Sequence, residues 1–127
     1  MTKDYNKLHA LIVDDDPVLQ LVMAKELGSV GIKTIAVSNG IDAILSLKKN
    51  KFDFILMDIS MPGQDGLDAT RWIREMTGTV NSGIPIFAVT SFSSQEHTAE
   101  ILDAGFNEHL IKPFDLAKVL LTINKYL

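Results

Sequence analysis

A chain of 127 residues, 46% of them hydrophobic, has the size and apolar content of one globular domain with a substantial core. Its formal net charge of −4, from 12 Lys+Arg against 16 Asp+Glu and without a basic run, argues against sequence-independent nucleic-acid binding. The absence of cysteine excludes disulfides, thiolate metal sites and thiol catalysis, and the apolar stretches fall far short of a membrane span.

Met1 to Lys7 is polar and lacks a signal-peptide core, so we read residues 1–7 as a polar N-terminal tail and 8–127 as the domain. Ala10 to Val13 is an unbroken apolar run, as expected of a strand covered on both faces, and it ends at Asp14-Asp15-Asp16. Pro17 suits the first position of a helix and Asp16 its cap, which leaves Asp14 and Asp15 for other work. Leu19, Val22, Met23 and Leu27 mark that helix. Thr34 to Val37 is a shorter, weaker strand, expected at an edge, and Ile41, Ile44 and Leu45 mark the second helix. Phe54 to Met57 forms the third run and ends at Asp58. Met61-Pro62-Gly63 and Asp65-Gly66 then intervene, so capping of the helix marked by Ala69, Trp72, Ile73 and Met76 is expected from Asp65 rather than Asp58. Ile86 to Val89 ends at Thr90-Ser91, and Ala99 and Leu102 mark a fourth helix. Leu110-Ile111 ends at Lys112-Pro113, before a last helix carrying Leu116, Leu120, Ile123 and Leu127. Gly31, Gly40, Gly66 and Gly105 fall at the joints.

Five strand-then-helix pairs build an α/β domain, with a doubly wound parallel sheet, right-handed crossovers and helices on both faces. Ligands of such sheets bind beyond the carboxyl ends of the strands, where Asp14, Asp15, Asp58, Thr90 and Lys112 are all expected. Two carboxylates 4 Å apart repel by about 4 kcal/mol at an intermediate dielectric, so this edge calls for a cation. A few hard oxygen ligands suit Mg²⁺, which readily completes its shell with phosphate. An aspartate beside that cation, with Lys112 opposite, is equipped to attack phosphorus, and Thr90 can donate to a phosphoryl oxygen. His9, His97 and His109 lack metal-ligand spacing and read as surface or packing residues, and Phe114 and Trp72 read as core or rim packing. A phosphatase of the haloacid-dehalogenase kind needs a second Asp two residues after the first, where this chain has Ser60. A flavin or nucleotide module needs a Gly/Ser/Thr-rich loop after the first strand, where this chain has three aspartates.

Leu11-Ile12-Val13-Asp14-Asp15-Asp16, Met57-Asp58-Ile59-Ser60-Met61-Pro62 with Asp65-Gly66, Val89-Thr90-Ser91 and Ile111-Lys112-Pro113-Phe114 resemble, in order and spacing, the receiver domain of two-component response regulators. The resemblance covers about Leu8 to Leu127. It implies a flavodoxin-like sheet of order 2-1-3-4-5 flanked by five helices. It further implies Asp58 as phosphoacceptor, loaded by a sensor histidine kinase or a histidine phosphotransfer protein. Asp15 would bind Mg²⁺ directly, Asp14 mainly through water, and the Ser60 backbone carbonyl would complete the shell. Lys112, across a cis peptide to Pro113, would pair with the carboxylate or phosphoryl group.

In the family, Thr90 moves together with an aromatic residue on the fifth strand, where this chain has His109. Histidine is smaller and can carry charge near neutral pH, so the Thr90–His109 coupling is expected to be weaker or pH-dependent. Ser91 leaves the approach to Asp58 open, while Ser60 and Phe92 occupy the positions that tune acyl-phosphate lifetime. Neither supplies an acid or amide for an attacking water, so slow self-dephosphorylation is expected. The implied protein is a cytoplasmic phosphoprotein of a phosphorelay, catalysing only its own aspartyl phosphorylation and dephosphorylation, without membrane or nucleic-acid contacts of this segment. Its output is expected through protein contact by the fourth and fifth helices and the strand between them, either as a free-standing receiver or as part of a longer regulator or hybrid kinase. The competing reading is an interaction module that keeps the fold without phosphorylation.

Overall fold

The computed structural model describes residues 4–59, 65–76, 82–91 and 98–127, without the side chains of Asp65 and Thr98. Along them run β1 (His9–Val13), α1 (Pro17–Ser29), β2 (Lys33–Val37), α2 (Gly40–Lys49), β3 (Phe54–Asp58), α3 (Asp65–Glu75), β4 (Ile86–Thr90), α4 (Thr98–Ala104), β5 (Glu108–Ile111) and α5 (Leu116–Tyr126). The strands pair in parallel in the order β2-β1-β3-β4-β5. The central strands β3 and β4 are buried throughout, whereas β2 is half exposed at its edge, as its weaker apolar run implies.

Alternation along the strands divides the core in two. Leu11, Val13, Ile55, Met57, Ile86 and Ala88 face α2, α3 and α4, against Ala43, Leu47, Ile73 and Ile101. Ala10, Ile12, Phe54, Leu56, Phe87 and Val89 face α1 and α5, against Met23, Leu27, Val119 and Ile123. Phe114 packs on this second layer, as does Tyr5, whose hydroxyl lies 3.2 Å from Asn124 Oδ1 and ties residues 5–7 to the fold. Among the described residues, no helix is long and apolar enough to cross a membrane.

Several helices present a different stripe from the one their large side chains mark. In α2 the buried residues are Gly40, Ala43 and Leu47, while Ile41 and Leu45 are exposed. In α4 Ile101 and Ala104 are buried and Leu102 is exposed. Small residues let a helix approach the sheet closely, and the larger neighbours are left on its flanks. Asp16 caps α1 through the Val18 N–H, with Pro17 at the helix start, as expected. α3 begins at Asp65, and the capping expected of that side chain lies outside the described residues. His9 is a packing residue, its ring 4.7 Å from that of Phe52.

Gly105 joins α4 to β5 with φ +108, and a Cβ there would come within 2.7 Å of Arg74 Cγ. Gly105→Ala is therefore expected to lower stability by about 2 kcal/mol in urea denaturation. Gly28, near the end of α1 with open space around it, should tolerate Ala or gain a few tenths of a kcal/mol.

Candidate functional site

The register builds the site. Val13 pairs with Met57, so Asp14 and Asp58 emerge side by side at the carboxyl edge of β1 and β3. Thr90 pairs with Ile111, and the Lys112 N–H donates to the Thr90 carbonyl at 2.7 Å, which brings Lys112 to the same edge. The Lys112-Pro113 peptide is cis, as the resemblance implied. Asp14, Asp58 and Thr90 are buried, at 0%, 2% and 1% exposure, while Asp15 is exposed. Lys112 Nζ stands 3.4 Å from Asp58 Oδ1 and 3.9 Å from Asp14 Oδ2.

This ammonium lies within ion-pair reach of two buried carboxylates. Burial pushes the Asp14 carboxyl up from 3.8 to about 6, against the hydrogen bond from the Asp16 N–H, and the Asp58 charge adds to the rise. Asp14 Oδ1 accepts from that N–H at 2.9 Å, whereas Asp14 Oδ2 is buried without a hydrogen bond among the described residues. An orphaned buried acceptor points to an ion or water that belongs there. One carboxylate oxygen from each of Asp14, Asp15 and Asp58 lies within 4.8 Å of the others, a donor set suited to a hard divalent cation.

Asp14, Asp58 and Lys112 continue the alternation of the α1/α5 layer, since Ile12, Leu56 and Leu110 belong to it. Thr90 and His109 continue the other alternation, through Ala88 and its register partner. His109 is half-buried on β5. Ser60 and Phe92, expected to ligate and to tune, lie outside the described residues, as does His97. Trp72 is exposed on the rim, lining a shallow apolar groove with Ile41, Ile44 and Asp68.

Sequence reasoning missed Gln20. Its amide nitrogen lies 2.5 Å from the Asp14 carbonyl, 3.0 Å from the Val37 carbonyl and 3.2 Å from Ser38 Oγ. The available signal was a polar residue one turn beyond the Asp16 cap, on the side of α1 that meets the sheet edge.

Residues 10–124 match the response regulator receiver domain family. The chain belongs to that family. It is 32% identical over 123 residues to the sensor histidine kinase RcsC of Escherichia coli K12, covering 97% of this chain but only 12% of RcsC. It is 37% identical to the two-component response regulator 24 of Arabidopsis thaliana, over 94% of this chain and 84% of that protein. Among solved structures it resembles the receiver domain of a sensor histidine kinase from Pseudomonas aeruginosa PAO1, with 36% identity and a TM-score of 0.82. That likeness covers 94% of this chain and 96% of the other, and the other holds a magnesium ion coordinated in its active site cleft. The receiver domain described here is thus of a type found both within hybrid sensor kinases and in response regulators of two-component systems.

Proposed function

We propose that this receiver domain takes a phosphoryl group onto Asp58 from the phosphohistidine of a sensor histidine kinase or a histidine phosphotransfer protein, and thereby alters a protein-docking surface. The observation carrying this reading is the buried Asp58 carboxylate 3.4 Å from Lys112 Nζ, beside a second buried carboxylate with an unsatisfied oxygen. In the transfer an Asp58 oxygen bonds to phosphorus, the donor's phosphorus–nitrogen bond breaks, and the imidazole keeps the electron pair and takes up a proton. Lys112 answers the charge added at Asp58, and Thr90 at the end of β4 offers its hydroxyl to a phosphoryl oxygen.

Asp14, Asp15 and Asp58 would hold Mg²⁺, with the Ser60 backbone carbonyl as a further ligand, and the orphaned Asp14 Oδ2 supports that fit. When bound, the ion supplies positive charge against the phosphoryl oxygens. His109 would couple to Thr90 as the switch residue, and Ser60 and Phe92 would set the lifetime of the acyl phosphate. The domain would act in the cytoplasm through a downstream protein, without turning over a substrate other than its own Asp58, and this segment would bind neither nucleic acid nor membrane.

Incubation with Mg²⁺ and a small phosphodonor, followed by weighing of the intact protein, tests the reading. Wild type should gain one phosphoryl group, and Asp58→Asn or a chelated sample none. A wild type that gains nothing would leave a receiver-shaped interaction module instead.

A further inference from the structure

We infer that Gln20 is a positioning residue for the acidic cluster: its side-chain amide, carried on α1, fixes the Asp14 backbone so that Asp14 Oδ2 stays presented to the cation. The inference rests on the reading of Asp14, Asp15 and Asp58 as Mg²⁺ ligands. Gln20 is half-buried, and three oxygens converge on the end of its side chain: the Asp14 carbonyl at 2.5 Å, the Val37 carbonyl at 3.0 Å and Ser38 Oγ at 3.2 Å. Two of these are carbonyls that can only accept, so the group facing them is the NH₂ and not the amide oxygen.

The polar atoms of Asp14 show what this accomplishes. Its N–H donates to the Val37 carbonyl at 3.1 Å, its carbonyl accepts from Gln20, and its Oδ1 accepts from the Asp16 N–H at 2.9 Å. Oδ2 is the remaining polar atom and accepts no hydrogen bond among the described residues. Gln20 and Asp14 share the Val37 carbonyl, so one side chain ties the end of β1, the end of β2 and α1 into a single unit. Groups that orient a ligand without touching the metal commonly change metal affinity 10- to 100-fold when removed. The residue type suits the task. A Leu fills the space but gives the Asp14 carbonyl no donor, and a Glu turns a carboxylate towards three oxygens. A Lys or Arg places a second positive charge beside the cation.

The test compares Mg²⁺ binding by calorimetry with the Mg²⁺ dependence of Asp58 phosphorylation by a small phosphodonor. Gln20→Leu, and Gln20→Asn whose amide is one methylene too short, should each raise the Mg²⁺ dissociation constant about tenfold or more. The half-saturating Mg²⁺ for phosphorylation should rise in parallel, while the rate at saturating Mg²⁺ stays within about twofold of wild type. Tyr126→Phe controls for stability, because it removes hydroxyl bonds to the Asn107 carbonyl and Glu108 far from the acidic cluster. It should lower the unfolding midpoint and leave Mg²⁺ affinity unchanged. Unchanged affinity in either folded Gln20 variant overturns the inference, and so does an equal loss of affinity in Tyr126→Phe. Wild type that binds no Mg²⁺ overturns the metal-site reading and this inference with it, whereas wild-type binding with an indifferent Gln20 overturns only the inference.

Discussion

In metal-free buffer near neutral pH, Asp14→Asn is expected to be more stable than wild type, by about 2 kcal/mol or on the order of 5–10 °C in Tm. The Asp14 carboxylate is fully buried, lies next to the buried Asp58, and shares the Lys112 ammonium with it. Its folded pKa of about 6 exceeds the ordinary 3.8, chiefly because burial disfavours the charge, so the folded state holds this proton more tightly than the unfolded chain. The contribution of Asp14 to wild-type stability should then be greatest below about pH 4, fall as pH rises to about 6 and stay lowered above it. Asparagine keeps an oxygen for the Asp16 N–H and removes the charge, so that descent should largely vanish in the variant. Saturating Mg²⁺ should stabilise wild type and not Asp14→Asn, reversing their order. Thermal unfolding from mildly acidic to neutral pH, with chelator and with Mg²⁺, reads all of this. A variant less stable than wild type in chelator at neutral pH would show that the Lys112 pairing outweighs burial and repulsion.

Arg74→Met should cost about 3 kcal/mol, through loss of charge-assisted hydrogen bonds rather than of volume. The Arg74 guanidinium donates to the Gly105 carbonyl at 2.9 Å, the Ser82 carbonyl at 3.0 Å, the Ile84 carbonyl at 2.5 Å and Asn107 Oδ1 at 2.8 Å. One side chain thereby holds the end of α3, the approach to β4 and the joint between α4 and β5. Methionine preserves the stem and leaves those oxygens without this donor. Lysine keeps the charge on a group without the planar fork, so Arg74→Lys should recover part of the loss. Urea titration gives the magnitudes. Hydrogen exchange should show the loosening concentrated around residues 82–86 and 105–108, and a uniform change across the sheet would contradict the stapling role.

The architecture and the main elements of the site were readable because each rests on local patterns. Unbroken runs such as Phe54 to Met57 report burial on both faces, and acids or bases ending such runs must meet at one edge of a parallel sheet. Asp16-Pro17 announced its own cap. Three things were not readable, for separate reasons. The buried stripe of α2 follows Gly40, Ala43 and Leu47, and hydrophobic size ranks the first two below the exposed Ile41 and Leu45. Arg74 looks like any charged residue at a helix end, since its acceptors come from residues 8 to 33 positions later. Gln20 depends on β2, which approaches α1 only once the crossover has formed.

The opposed alternation of the site residues separates two kinds of evolutionary freedom. Asp58 and Lys112 follow one face of the sheet, while Thr90 and His109 follow the other. Substitutions on α1 can therefore alter how the Asp14 and Asp58 carboxylates are supported while sparing the packing around His109. Drift on α4 would change what a downstream protein meets on the proposed docking surface while leaving the acidic cluster intact. A domain partitioned in this way can exchange its audience without relearning its chemistry.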